Sequence, residues 1–171
     1  MLYLLDSFEG FPEPTEEDSP ILKFDDPKEN GWVQKGRWNY VDTEHIGEVL
    51  SASLGGYRNR EGESNQVSII KGFFGDTITE ELIEDIRANG GIKLMHLDAD
   101  LYSSYKVCLE RLWDLVVPGG IIILDESDKR SQLKWPGAIK AMREFFGSEE
   151  VKNRIESLED LRGKVWIRKI S

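Results

Sequence analysis

A single cysteine in 171 residues excludes an internal disulfide. Cys108 falls in a helical apolar pattern with Tyr105, Leu109, Leu112, Trp113 and Val116, the place of a core thiol and not of a nucleophile. No apolar run approaches the ~20 residues of a membrane span. The opening Met1-Leu2-Tyr3-Leu4-Leu5-Asp6 is too short and uncharged for a signal peptide and reads as a strand already under way. Basic residues are outnumbered 22 to 32, for a net charge of -10. That balance argues against a nucleic-acid partner, which needs a basic face, and against an anionic membrane surface. The acidic excess serves solubility, and a cytoplasmic location is the expectation that a disulfide-free chain fits. There is no internal repeat and no low-complexity tract. The length suits one domain, 1–171, with a core of its own.

What is present is organised around Lys93-Leu94-Met95-His96-Leu97-Asp98-Ala99-Asp100, an apolar run that ends in two carboxylates one residue apart. A second apolar run, Ile121-Ile122-Ile123-Leu124, ends in Asp125-Glu126. Both read as short strands buried in a parallel sheet. Ligands of open α/β sheets bind at the carboxyl ends of strands. If the two strands are parallel neighbours, Asp98, Asp100, Asp125 and Glu126 meet at one sheet edge. Carboxylates so close repel one another unless a cation lies between them, and a hard divalent ion with oxygen ligands is the natural candidate.

In chain order, the first strand ends in Asp6-Ser7-Phe8-Glu9-Gly10-Phe11-Pro12. An acid after a strand can hold ribose hydroxyls or simply begin a turn. Residues 13–35 form a long loop broken by Pro14, Pro20 and Pro27, of the kind that serves as a lid. Phe24, Trp32 and Trp38 are expected to anchor it to the core. Residues 43–54 read as a helix capped by Thr43, with His45 on its solvated side, and Gly55-Gly56 ends it. A strand at 66–70 runs into Lys71-Gly72-Phe73-Phe74-Gly75-Asp76-Thr77. Helices follow at 79–89 and 101–117, the latter stopped by Pro118-Gly119-Gly120 ahead of the 121–124 strand. After a loop over 129–137, a helix spans 138–146, and runs at 154–158 and 164–170 form a closing antiparallel pair split by Asp160-Leu161-Arg162-Gly163. The layout is doubly wound α/β. His96 reads as a packed strand histidine. Asp100 has two readings, N-cap of the 101–117 helix or catalytic acid.

Five of these segments together resemble the macrocin O-methyltransferase (TylF) family. They are Asp6-Ser7-Phe8-Glu9-Gly10-Phe11-Pro12, Lys71-Gly72-Phe73-Phe74 with Asp76-Thr77, His96-Leu97-Asp98-Ala99-Asp100-Leu101-Tyr102-Ser103-Ser104, Pro118-Gly119-Gly120 with Asp125-Glu126, and Trp135-Pro136-Gly137-Ala138. The resemblance implies a Rossmann-like class I fold dependent on S-adenosyl-L-methionine. It also implies Mg²⁺-assisted O-methylation of a sugar or glycosylated small molecule. Carried over by position, Asp6 would hold the cofactor ribose, and Ser7, Gly72, Phe73 and Phe74 would border the adenine. Asp98, Asp125 and Glu126 would surround Mg²⁺, with Glu126 standing where the family usually has a second Asp. Asp98 would be the base, Asp100 the alternative, and a family lid would fall within 13–40.

The family fold opens with a strand, a glycine-rich turn and a helix, and this sequence is expected to lack them. The 171 residues would then be an excised or truncated piece, or another chain would supply the segment, in a homo-oligomer or with a complementing partner. In a third arrangement the two flanking strands would pair directly. Stand-alone catalysis depends on which holds. Two rivals remain. Leu97-Asp98-Ala99-Asp100 also resembles the Asp-x-Asp motif of nucleotide-sugar glycosyltransferases, and a non-catalytic methyltransferase remnant would need no cofactor at all.

Overall fold

Leucine, isoleucine and valine dominate two five-residue runs, Leu2–Asp6 (β1) and Val67–Lys71 (β2), which pair in parallel with Leu4 opposite Ile69 and Asp6 opposite Lys71. The structure, a computed structural model, describes residues 1–19, 33–53, 67–128, 131–159 and 164–171. Phe24, Trp32, Gly55-Gly56 and the Asp160-Leu161-Arg162-Gly163 connector lie outside the described residues. Helix α1, Thr43–Ser53, joins β1 to β2. Its cap is Asp42 and not Thr43: the Asp42 carboxylate accepts the His45 N–H at 2.8 Å. His45 is exposed, as expected.

After β2 the chain forms a single turn, α2 (Phe74–Thr77), then α3 (Glu80–Ala88), β3 (Ile92–Leu97), α4 (Tyr102–Leu112) and β4 (Val116–Leu124). Thr79 caps α3 through the Leu82 N–H at 3.3 Å, and Leu82, Ile83 and Ile86 face inward as the periodicity predicts. The helix expected to run to 117 stops at Leu112 in a tighter 3-10 turn, Trp113–Leu115. Val116 is already buried strand, paired with Ile92. Between Ile92 opposite Val116 and Leu94 opposite Ile121 the register slips, and Pro118-Gly119-Gly120 forms a bulge inside β4, with Gly119 at φ 82°. The last elements are a short α5 (Ser131–Lys134), α6 (Pro136–Phe146, with Pro136 in its first turn), β5 (Ile155–Glu159) and β6 (Val165–Lys169).

β3 and β4 are parallel, and the antiparallel pair β5–β6 extends them in the order β3-β4-β6-β5. Among the described residues β1 pairs with β2 alone. Direct pairing of β1 with β3, one of the three arrangements expected, is not formed. Tyr3 on β1 instead reaches α3, donating to Asp85 at 2.5 Å and accepting from Asn89 at 3.0 Å.

One face of the larger sheet is core. Met95, Ile122 and Ile167 lie in one buried row, with Leu97 and Leu124 beyond them. Helices α4 and α6 cover it with Tyr105, Cys108, Leu109 and Leu112 against Ala138, Ile139, Ala141 and Met142. The buried Cys108 thiol is pushed up to about 12 by desolvation, which agrees with a structural cysteine. The opposite face corrects the expectation of strands buried on both sides. Leu94 is 63% exposed and His96 is exposed, opposite half-buried Ile121 and Ile123. His96 is therefore not a packed strand histidine.

The segment after β1 is fastened over the starts of α4 and α6. Gly10 must be glycine, because at φ 79° an added Cβ would stand 2.3 Å from the Arg37 carbonyl oxygen. Two backbone bonds, Phe11 N–H to Arg37 C=O and Gly36 N–H to Phe11 C=O, both 2.9 Å, close the base of the loop. Phe11 is buried edge-on against Trp135 at 5.8 Å. Trp38, expected as a core anchor, is 45% exposed and meets Tyr40 instead. Asp18, only 3% exposed, accepts the Tyr102 N–H at 2.7 Å and the Thr15 N–H at 2.8 Å. It caps α4 from 84 residues away. Asp18→Ala is expected to lower stability by about 1–2 kcal/mol, because a part-buried helix-start N–H loses its acceptor. Asp18→Asn keeps an acceptor and should recover most of the loss. Urea midpoints of the three proteins decide the matter, and an unshifted midpoint for the alanine variant would remove the capping role.

Candidate active site

Register carries β3 and β4 to a common rim. Leu97 opposes Leu124, so Asp98 and Asp125 leave the sheet side by side at its carboxyl edge. Beyond Asp98 the chain turns through buried Ala99 to Asp100, which has the left-handed φ of 56°. Such a backbone costs an aspartate roughly 1–3 kcal/mol and marks a place where side-chain position outweighs local comfort. Asp100 is not the cap of α4, since Asp18 takes the Tyr102 N–H. On the other strand, Asp125–Ser127 is a 3-10 turn that points Glu126 inward, where it is 1% exposed. Ser127 pins the turn, donating to the Leu124 carbonyl and accepting the Val165 N–H, both at 2.7 Å.

Oxygens of Asp98, Asp100 and Glu126 lie within 4.8 Å of one another. At that spacing each ionised pair repels by on the order of 3 kcal/mol at an effective dielectric near 20. Protons resolve the conflict. Desolvation and the neighbouring acids, opposed by the Tyr105 hydrogen bond, push the Glu126 carboxyl up to about 9. Desolvation and the Asp98 charge push Asp100 up to about 7. Asp98 is raised by desolvation and by Asp125.

Asp125 stands apart from this group. Its carboxylate is ion-paired with Lys164, which also donates to the Asp125 carbonyl at 2.9 Å. Burial is the largest single effect and pulls the Lys164 ammonium down, but the hydrogen bond and charge of Asp125, together with the nearby Asp128 and Glu126, outweigh it and the net shift is upward. His96 Nε2 lies 3.9 Å from the same carboxylate. The four acids predicted from sequence thus share one rim, with three clustered and the fourth facing a cation.

The second set, Asp6, Ser7, Gly72, Phe73 and Phe74, collects at the carboxyl ends of β1 and β2. The Gly72 N–H donates to the Asp6 carbonyl at 2.9 Å, and Gly72 takes φ 142°, open to glycine alone. The Asp6 carboxylate accepts the Phe8 N–H at 2.6 Å, and the Ser7 hydroxyl donates to the Gly10 carbonyl at 2.7 Å. Phe73 precedes α2 and its carbonyl accepts the Thr77 hydroxyl at 3.0 Å.

Sequence reasoning missed Tyr105, Lys164 and Asp18. Tyr105 is legible only as an apolar-face residue, and nothing near Lys164 announces a partner 39 residues earlier. Thr15 and Asp18 carry the spacing of a capping box, but the cap given to α4 has no local signal.

Parallel strands ending in an antiparallel pair, with acids on the adjacent carboxyl ends of β3 and β4, define a Rossmann-like α/β protein, and the sheet rim is its candidate ligand site. The chain belongs to the Macrocin-O-methyltransferase (TylF) family, whose sequence model matches residues 1–169. No curated protein matches it. Among solved structures it is similar to CalS11, a calicheamicin methyltransferase, with a TM-score of 0.71 and 24% identity over 97% of this chain and 59% of that one. It is also similar to the O-methyltransferase NovP, with a TM-score of 0.66 and 20% identity over 99% of this chain and 60% of NovP. An apo structure of CalS11, described as a TDP-rhamnose 3'-O-methyltransferase, gives a TM-score of 0.54 over 73% of this chain and 50% of that one. At these identities the likeness concerns the fold. The chain spans about three-fifths of the length of CalS11 and NovP. No helix among the described residues is long and apolar enough to cross a membrane.

Proposed function

We propose that the chain acts in S-adenosylmethionine-dependent, Mg²⁺-assisted O-methylation of a hydroxyl on a sugar or glycosylated small molecule. The observation that carries the reading is the meeting of Asp98, Asp100 and Glu126 at one strand-end rim in a member of this family.

The donor set suits a hard divalent ion: three carboxylates, close enough to share one cation, two of them pushed up to about 7 and about 9 by burial and by their acidic neighbours. By distance the ion's residues are Asp98, Asp100 and Glu126. By family position they are Asp98, Asp125 and Glu126. Asp98 and Glu126 belong to both sets. When bound, Mg²⁺ supplies acidification of a coordinated hydroxyl, and S-adenosylmethionine supplies an electrophilic methyl group. Asp98, the most accessible of the three, accepts the hydroxyl proton as the oxygen becomes a nucleophile, with Asp100 the alternative base. Asp6 would take the ribose hydroxyls, and Ser7, Gly72, Phe73 and Phe74 would flank the adenine. Gly72, without a Cβ, lets a ligand approach the backbone.

The test is calorimetric titration of the chain with S-adenosylhomocysteine, with and without Mg²⁺, against a UDP-sugar control. Binding of the first alone, weakened about 10–100-fold in Asp6→Ala by loss of charged hydrogen bonds, is expected. Binding of the UDP-sugar alone would transfer the site to an Asp-x-Asp glycosyltransferase. Binding of neither would favour the non-catalytic reading. Asp125→Ala separates the two metal sets, since unchanged Mg²⁺ affinity would remove Asp125 from the ligands.

A further inference from the structure

Tyr105 sits in the first turn of α4 with no exposed surface, beneath the acidic rim. Its hydroxyl is 2.9 Å from the Leu97 carbonyl, the last residue of β3 before Asp98. The same hydroxyl hydrogen-bonds the Glu126 carboxyl, in the turn that follows β4. One buried oxygen therefore links the ends of the two strands that deliver the cluster. Glu126 has the longer arm of a glutamate and no solvent to steady it, so its carboxyl needs a fixed neighbour to stand within reach of Asp98 and Asp100. Ala99 and Leu101 are buried around this point and hold the loop, but neither offers a polar side-chain atom.

We propose that Tyr105 is a positioning residue for metal binding: its hydroxyl sets the Glu126 carboxyl against the end of β3, so that Asp98, Asp100 and Glu126 present one preformed oxygen set to a divalent cation. This rests on the reading of the rim as a Mg²⁺ site. Outer partners of metal-binding carboxylates typically matter 10–100-fold for metal affinity. Tyr105→Phe keeps the ring that fills the core and deletes the oxygen.

The experiment compares Mg²⁺ affinity by calorimetry for the 171-residue chain, Tyr105→Phe and Asp98→Asn, with near-ultraviolet circular dichroism reporting the fold. The expected result is a 10–100-fold loss of affinity in folded Tyr105→Phe, smaller than the loss in Asp98→Asn. A merely structural tyrosine would lower the melting temperature and leave the affinity of the folded chain unchanged. That result would overturn the proposal while leaving the metal site standing. Absence of Mg²⁺ binding in the parent chain, with Asp98→Asn indistinguishable from it, would overturn both. Should the phenylalanine variant not fold, 3-fluorotyrosine placed at position 105 retains the hydroxyl. Its fluorine resonance is expected to move as Mg²⁺ saturates the parent chain and to stay still in Asp98→Asn. A resonance that does not move through saturation would overturn the proposal.

Discussion

Asp98→Asn is expected to lower methyl transfer by about 10²–10⁴-fold, the usual worth of a positioned general base, while the chain stays folded. The substitution is nearly isosteric and falls at an exposed rim position. It also removes one of the like charges crowding Asp100 and Glu126, so stability should hold or rise slightly. The carboxamide cannot accept the hydroxyl proton as a carboxylate does, and it contributes less charge to a bound cation. Mg²⁺ affinity should therefore fall together with rate. Transfer of a labelled methyl group at saturating Mg²⁺, read beside the urea midpoint, separates lost chemistry from lost fold. An undiminished rate would assign the base elsewhere, with Asp100 next, since it lies within the same 4.8 Å cluster.

The second large effect is on pH. Glu126 at about 9 and Asp100 at about 7 both lie above their unfolded values near 4. The folded chain then binds more protons than the unfolded chain between about pH 4 and pH 9. Stability changes with pH in proportion to protons bound unfolded minus protons bound folded, which is negative across that window. These two groups thus favour the fold fully at acidic pH, and their contribution is lost as pH rises through 7 and then 9. Urea unfolding in chelator is expected to show about 5 kcal/mol lost between pH 6 and pH 9, at about 1.4 kcal/mol per proton per pH unit. Glu126→Gln should flatten the slope. Mg²⁺ should do the same, because a cation compensates the ionised acids, and its own affinity should climb over the same range as protons leave. Stability that rises steadily with pH in chelator would mean that Glu126 is ionised in the fold.

The parts of the molecule legible in sequence are those with a short period or an abrupt chemical boundary. β3 and β4 were readable because apolar runs ended in acids, and their parallel pairing placed Asp98 beside Asp125 as expected. α3 followed its apolar spacing and its Thr79 cap, and α6 followed its apolar spacing but begins at Pro136, two residues before the expected start. The errors came where a long-range partner overruled a local one. Asp100 has the identity and place of an N-cap, yet Asp18 fills that role across 84 residues. Pro118-Gly119-Gly120 reads as a helix stop and turn, but the pairing of Val116 with Ile92 draws it into a strand as a bulge. His96 and Leu94 alternate into a buried pattern, and only the tertiary arrangement leaves that face of β3 exposed. Within the site, the types of residue were visible and their grouping was not. Whether Asp100 or Asp125 completes the cluster depends on Lys164, which arrives from the far side of the β5–β6 connection.

Carboxyl groups from the ends of β3 and β4 are proposed to hold one divalent cation. Crystals soaked in Mn²⁺ and measured for anomalous scattering test it most directly. A single strong peak is expected between Asp98 and Glu126, absent from Asp98→Asn crystals. A map with no peak at that rim, or with its peak at an acid remote from both strand ends, would contradict it.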